Sequence, residues 1–362
     1  MTDWHFLVDR NDFRHTEVVE FEPDHLGDGE IRVHVDAFGF TANNVTYAAA
    51  GDMIGYWTFF PAPDLGDDVH WGRVPVWGFA DVVESRSDPV VVGDRLYGYF
   101  PMSTELVMTP TRVSDAGLVD GSEHRSALPA VYNSYVRCAA DPMYDPANEE
   151  ELMLYRPLFF TSFLIDDFLD DNDFFGASTV VLASASSKTA FGTAHLLHQR
   201  DGLTVVGLTS PGNVAFVESL GCYDHVLTYD DIALLPDGPA ALVDMSGNAA
   251  VVRAVHERYG DGLTHSMVVG LTHWEHRVGS TEALPGPEQT FFFAPSQIEK
   301  RHSDWGSGVV ESKLAEAWGP FIHKAADWVS VEHSSGPDAV ADVYVETLEG
   351  HTNPDIARVL HP

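Results

Sequence analysis

From about Thr161 onward the chain alternates apolar runs with amphipathic ones, and this rhythm constrains the fold more than any other feature. STVVLAS, LTVVGLTS, HVLTYDD, AALVDMSG and THSMVVGLTHWE read as strands. TAFGTAHLLHQR, PGNVAFVESLG and NAAVVRAVHERYG read as the helices between them. Strands alternating with helices of about 10–15 residues predict a parallel, doubly wound sheet. Runs such as Thr204-Val205-Val206-Gly207-Leu208 are apolar on both faces, as a sheet covered on both sides requires. The first third reads differently. GEIRVHVDAFGF alternates Ile31, Val33 and Val35 with Arg32, His34 and Asp36, the period of a half-buried strand. VPVWGFADVVES and VVVGDRLYGYF add strands with turns at Gly78 and Gly93-Asp94, predicting a small barrel or irregular sheet. The tail carries an amphipathic helix, VVESKLAEAWGPFIHKAADWV, then ADVYVETLEG and a closing strand, ARVLHP.

The chemistry of the second part hinges on one turn. VVLASASSKTAFGTAHLL begins as a buried strand and ends as an apolar helix, with Ser184, Ala185, Ser186, Ser187, Lys188 and Thr189 between. Many nucleotide-binding folds put glycines here; this chain has none until Gly192. A P-loop needs glycine just before the lysine and another five residues further back, where Ser187 and Leu182 stand. A serine nucleophile with an S-x-x-K lysine needs serine at position 185, which is alanine. Neither motif fits. A dinucleotide site asks for a tight strand-to-helix turn and free N–H groups at a helix N-terminus. Small residues substitute for glycine where φ stays negative, serine hydroxyls add donors, and Lys188 adds a positive charge. Ser184 or Ser186 would cap the helix. The turn alone supports equally a capped helix in a fold that has lost its cofactor. The next strand ends in Thr209-Ser210 with no carboxylate for a ribose 2′-hydroxyl. With Asn213 these hydroxyls suit a 2′-phosphate, which favours NADPH over NADH.

Charge and cysteine content narrow the partners. The formal net charge is −35, and the only lysines are Lys188, Lys300, Lys313 and Lys324. A field that negative disfavours nucleic acid and anionic membrane, and it suits a saline, halophilic setting. Scarcity sharpens Lys188. Cys138 and Cys222 are the only cysteines, too few for a disulfide framework or a four-cysteine zinc site. No stretch reaches the apolar length of a membrane span and the start lacks a signal-peptide pattern, so a cytoplasmic location is expected. The acidic clusters DDFLDDND (Asp166 to Asp173) and DPANEEE read as solvated faces rather than calcium loops.

The whole chain resembles the medium-chain dehydrogenase/reductase superfamily, and within it the zinc-free quinone and enoyl reductase branch. GEIRVHVDAFGFTANNVTYAAAG resembles that family's opening strand and the loop under its nicotinamide site, and VGDRLYG, with Asp94 and Arg95, is the sharpest local match. NVAFVESLGCYDHVLTYDD, containing Tyr229, and DVYVETLEGHTNPDIARVLHP resemble later segments. Ser184, Ser187, Lys188 and Ala190 stand where the family normally has glycines, and the zinc-ligand arrangement is missing. The serine-lysine turn, NNVTYA and RPLFFTSF are similar to the divergent DUF2855 subgroup.

The resemblance implies an α/β fold. It has a GroES-like β domain (residues 1–140 and 300–362) and a Rossmann parallel-sheet domain (141–299). It implies a metal-independent, NADP(H)-dependent reductase of an activated C=C or carbonyl compound, acting as a homodimer on a small molecule. Tyr56 becomes the first choice as proton donor, Tyr47 the second, with Asn44 able to hold substrate or ribose. Trp57, Phe59 and Phe60 would wall the site; equally, this loop could pack as a small aromatic core. Ser184, Ser186, Ser187, Lys188 and Thr189 would hold phosphate, with Thr209, Ser210, Asn213 and Tyr229 nearby. Gly270, Leu271 and Thr272 would meet the nicotinamide amide, and Phe293 would lie near the ring and offer an apolar edge for dimerisation. Arg156, at the hinge, would meet an anion or pair with Asp166 or Asp167. Two rivals remain: non-redox chemistry on the same fold, such as a lyase or hydrolase, and a cofactor-free binding or scaffold protein.

Overall fold

The computed structural model describes residues 2–49, 51–269, 284–306, 308–351 and 353–362. Along the chain run β1 (Asp3–Asp9), β2 (Asp12–Phe21) and β3 (Ile31–Phe40), then short helices α1 (Ala42–Ala49), α2 (Gly51–Ile54) and α3 (Tyr56–Phe59). Next come β4 (Trp71–Gly72), β5 (Pro75–Ser85), β6 (Arg95–Pro101), β7 (Glu105–Met108), β8 (Pro110–Thr111), β9 (Gly117–Asp120) and β10 (Ser134–Arg137). The long α4 (Glu149–Asp171) leads into β11 (Thr179–Ala183), α5 (Lys188–Leu197), β12 (Thr204–Thr209), α6 (Val214–Ser219) and β13 (His225–Thr228). There follow β14 (Ala240–Asp244), α7 (Ala249–Tyr259), β15 (Leu263–Val269), β16 (Thr290–Phe292), α8 (Ala294–Trp305) and α9 (Val309–Trp328). The chain closes with β17 (Ser330–Ser335), α10 (Pro337–Leu348) and β18 (Ile356–His361).

Two compact units result: one spans Met1–Leu154 with Ser330–Pro362, the other Tyr155–Val329. The divisions fall inside α4 and after α9, so α8 and α9 join the second unit instead of the tail expected from residue 300. The first turns of α4 count with the first unit, because Arg95 on β6 holds Glu149 through two hydrogen bonds of 2.6 and 2.7 Å.

In the first unit β3, β5 and β6 form the antiparallel centre of a sheet in the order β17-β18-β3-β5-β6-β10-β9-β8, with β7 also on β3. Hairpin β1–β2 and β4 form a smaller sheet. Their apolar faces share a core that includes Phe6, Val33, Val35, Val76, Phe100 and Tyr344.

In the second unit the order β13-β12-β11-β14-β15-β16 is parallel throughout, with β11 at the switch point. Every residue of β11 and β14 is buried, the outcome the continuous apolar runs predict. The acidic stretch after Ile165 departs from its expected solvated role. Asp166 is buried against Arg200 (2.7 and 2.8 Å), and Asp167 accepts from Gln297 and Arg301, both at 2.6 Å. Burial of a carboxylate in a helix requires such partners, and here they come from distant segments. Arg156 stands ten positions before Asp166 on the same helix, about 15 Å along its axis, too far for the pairing expected of it.

Candidate functional site

The turn between β11 and α5 is the first candidate, and its shape corrects two expectations. Ser184 has φ 61, in the left-handed region, where a negative φ was expected to let serine replace glycine. A left-handed conformation brings Cβ close to the following carbonyl oxygen, so a serine persists there only when its surroundings hold it. Those surroundings are visible. The Ser184 carbonyl accepts from Ser187 N at 2.9 Å, and its N–H bonds the hydroxyl of Tyr229. The helix cap is Ser187, not Ser184 or Ser186: its Oγ accepts from Ala190 N at 3.4 Å.

The backbone of β12 and side chains that follow it brace the same turn. Ala185 N donates to Leu208 O at 2.9 Å, and the Tyr223 hydroxyl donates to Ala185 O at 2.8 Å. Asn213 donates its amide to Ser186 Oγ at 3.0 Å. Gly207 on β12 is needed for this packing: a Cβ there would sit 2.9 Å from both the Ala185 Cβ and the Tyr223 ring. Gly192 performs the matching task on α5, where a Cβ would lie 2.7 Å from Ser162 Oγ on α4. Tyr223 is a site residue that sequence reading missed; so is Asp244, fully buried at the end of β14. Asp244 accepts from the N–H groups of Ser246 and Gly247 at 3.0 and 3.2 Å and raises the Tyr229 pKa further, beyond the larger effect of burial.

Lys188 is the first residue of α5, at the positive end of the helix dipole, where a cation is disfavoured. Among the described residues no carboxylate pairs with it, and burial alone pushes its pKa down to about 8. Part of its surface stays accessible. A half-buried ammonium without a counter-ion is costly, and an anion at the helix N-terminus would relieve both penalties. Thr189 is beside it and half-buried. Thr209 is buried at the end of β12, while Ser210 and Asn213 are partly exposed on the turn that follows. Small residues at a helix N-terminus and a cation with no carboxylate partner among the described residues fit the pyrophosphate of an NAD(P)-type cofactor. Gly270, Leu271 and Thr272 lie outside the described residues. Phe293 is 53% exposed and occupies the cap position of α8, just after edge strand β16.

In the first unit the structure brings Tyr47 and Tyr56 together, with ring centroids 4.7 Å apart. They belong to an aromatic cluster with Phe59, Phe60 and Tyr99. The Tyr56 and Tyr132 hydroxyls are 3.1 Å apart, and Trp77 Nε1 donates to the Tyr47 hydroxyl at 3.3 Å. Burial first, then neighbouring phenols, raise the pKa of both Tyr47 and Tyr56, so both stay protonated. Asn44 is buried, with its carbonyl accepting from Thr41 N at 2.8 Å and its amide donating to Pro75 O at 3.1 Å. One end of that side chain therefore fixes the backbone at the α1 entry and the other ties α1 to the start of β5.

A parallel sheet in the order β13-β12-β11-β14-β15-β16, joined to a GroES-like β unit, defines the medium-chain dehydrogenase/reductase fold. Solved structures of that fold cover the chain almost entirely. CurA from Vibrio vulnificus is 14% identical, covering 99% of this chain and 98% of its own, with TM-score 0.60. The yhdH oxidoreductase from Salmonella enterica, solved in complex with NADP, is 14% identical over 99% of both chains, TM-score 0.56. The quinone oxidoreductase from Coxiella burnetii is 16% identical over 100% of both, TM-score 0.55. The chain belongs to the family described as protein of unknown function (DUF2855), whose model matches residues 38–353. No curated protein matches it.

Proposed function

We propose that this protein is an NADP(H)-dependent, metal-independent reductase of an activated C=C or carbonyl compound. The observation that carries the reading is Lys188: a half-buried ammonium at a helix N-terminus, without a carboxylate partner among the described residues, in a chain with 55 acidic residues. Lys188 neutralises phosphate charge there, with the N-terminal amides of α5 and the hydroxyls of Ser186, Ser187 and Thr189 around it. Ser184 contributes the shape of the turn. Ser210 and Asn213 face a 2′-phosphate, with Thr209 behind them and Tyr229 bracing the turn. The absence of an acidic residue at the end of β12 supports NADPH over NADH. When bound, this cofactor supplies the hydride.

Tyr56 serves as the proton donor on the first unit, and its hydroxyl recovers a proton through Tyr132. Tyr47 holds the ring of Tyr56 in place, and Asn44 holds the helix that carries Tyr47. The exposed edge of β16, with Phe291 and Phe293, is the surface proposed for pairing two copies. A cofactor-free binding protein is the second reading, and one observation favours it. Tyr229 and Asn213 already satisfy one N–H and one hydroxyl of the turn.

Titration with NADPH and NADH, beside Lys188→Ala, tests the proposal. Saturable NADPH binding that weakens by about tenfold or more in the variant supports it. Absence of binding to either nucleotide replaces it with the second reading. With a cofactor established, Tyr56→Phe should lower turnover about 10²-fold or more while leaving NADPH affinity unchanged.

A further inference from the structure

A cavity of about 250 Å³ in the first unit brings three arginines together, and among the described residues only one of them lacks a carboxylate. Arg32 pairs with Glu105 and, at 3.4 Å, with Glu84. Arg125, almost wholly buried, pairs with Asp120 at 2.7 Å and donates further to Asn133 and Tyr135. Arg73 pairs with no carboxylate among the described residues. Its Nη2 donates to Pro61 O at 2.7 Å and its Nε to Phe60 O at 3.4 Å, both backbone carbonyls.

The third contact of Arg73 fixes the state of its neighbour. Nη1 lies 3.4 Å from Nδ1 of His5, and a guanidinium can only donate. Nδ1 of His5 therefore presents a lone pair, to Arg73 and to the hydroxyl of Ser103 at 2.9 Å. The ring proton is on Nε2 and the imidazole is neutral; burial first, and Arg73 second, push its pKa down to about 3. Burial likewise lowers the pKa of Arg73 to about 10. Of the five guanidinium N–H groups, three are engaged and two remain. The apolar lining that stays accessible is Phe21, which stacks on His5 at 4.0 Å, with Pro61, Leu106 and Val107.

We propose that this cavity binds a small organic monocarboxylate with an aromatic or apolar body, its carboxylate on the free N–H groups of Arg73 and its body against Phe21, Pro61, Leu106 and Val107. A planar guanidinium fork matches a carboxylate in geometry and charge. Glu22 and Asp24, exposed among the lining residues, disfavour a doubly charged anion such as phosphate. The space equals that of about eight waters, enough for a single-ring acid. The site is independent of the nucleotide reading, since it involves the first unit alone.

Benzoate serves as the probe, with benzamide as its neutral isostere and inorganic phosphate as the alternative anion. Ligand-observed NMR and calorimetry on the full chain should give saturable benzoate binding with Kd of about 1 mM or tighter. Benzamide and phosphate should each bind at least about tenfold more weakly. Arg73→Gln should lose benzoate by about tenfold or more, while Arg73→Lys keeps part of the affinity. If Arg73→Gln does not fold, the benzoate–benzamide contrast in the natural protein, with magnetisation transfer from benzoate to the His5 and Phe21 rings, decides instead. Equal binding of benzamide, a preference for phosphate, an unchanged affinity in folded Arg73→Gln, or no saturable benzoate binding overturns the proposal.

Discussion

Asn213 donates its side-chain amide to the hydroxyl of Ser186 at 3.0 Å, fastening the turn after β12 to the turn after β11. The two residues are 27 apart in sequence and belong to consecutive strand–helix units. Replacing either by alanine should cost about 1 kcal/mol, and the double variant should cost less than the sum, because one bond is lost only once. A urea double-mutant cycle measures this; strictly additive losses would show that the contact contributes nothing. Asn213→Ala should also weaken NADPH more than NADH if Asn213 faces the 2′-phosphate.

Lys188 makes stability and binding depend on pH in opposite directions. Its pKa in the folded chain, about 8, lies below the ordinary 10.5, so the unfolded chain holds the proton more tightly. Between these values the unfolded state carries more protons, and stability rises with pH. Below pH 8 the full penalty is present, so Lys188→Met should stabilise the protein at pH 7 and have little effect above the ordinary lysine pKa. Binding has the reverse sign. A phosphate beside the ammonium raises its pKa again, so NADPH should take up a fraction of a proton near pH 8 to 9 and bind more weakly as pH rises further. Calorimetry in buffers of different ionisation enthalpy reads that proton directly; release in place of uptake would place the phosphate elsewhere.

The fold was legible in the sequence because its signals are local. Continuous apolar runs gave the buried parallel strands β11, β12 and β14, and the alternation of Ile31, Val33 and Val35 gave β3. The place of the strand-to-helix turn between β11 and α5 was equally legible, because the buried run and the apolar helix that bound it are local signals. Its conformation was not, because serine carries no signature of the left-handed region that Ser184 occupies. Tyr223 escaped for another reason: it reaches Ala185 across 38 residues, through packing that no short window contains. The same holds for Asp167, whose partner Arg301 is 134 residues away, so an acidic run that reads as solvated is partly buried. In the aromatic loop, the family resemblance named Tyr47 and Tyr56, while only the structure reveals that their hydroxyls meet Trp77 and Tyr132.

Gly192 sets the spacing between α4 and α5. Its added Cβ would lie 2.7 Å from Ser162 Oγ, a hydroxyl whose one proton is shared between Leu158 O at 3.1 Å and Thr189 O at 2.8 Å. The serine cannot swing away without abandoning a carbonyl in the first turn of α5. Gly192→Ala should therefore destabilise by about 1–3 kcal/mol despite the better helix propensity of alanine. Adding Ser162→Ala should recover part of that loss, because the nearest remaining atom, the Ser162 Cβ, stands at 3.2 Å. Thermal or urea midpoints of the three variants test the argument; a Gly192→Ala protein as stable as the natural one would mean the helices are free to part.

Ser184 offers the sharpest test of how the turn holds its shape without glycine. Its φ of 61 costs a serine roughly 1–2 kcal/mol relative to the right-handed region. Glycine would remove that strain and return about 0.5–1 kcal/mol through the greater freedom of the unfolded chain. Ser184→Gly should therefore raise stability by no more than about 1.5 kcal/mol, with the Ser184 carbonyl still accepting from Ser187 N and its N–H still on Tyr229. Ser184→Val should do the opposite, since a β-branched side chain tolerates a positive φ least. If the backbone of Ser184 shapes the phosphate site and its hydroxyl is incidental, NADPH affinity should be unchanged in Ser184→Gly. An affinity that falls while stability rises would make the hydroxyl itself a phosphate ligand, and would explain why serine, in spite of its strain, occupies a position made for glycine.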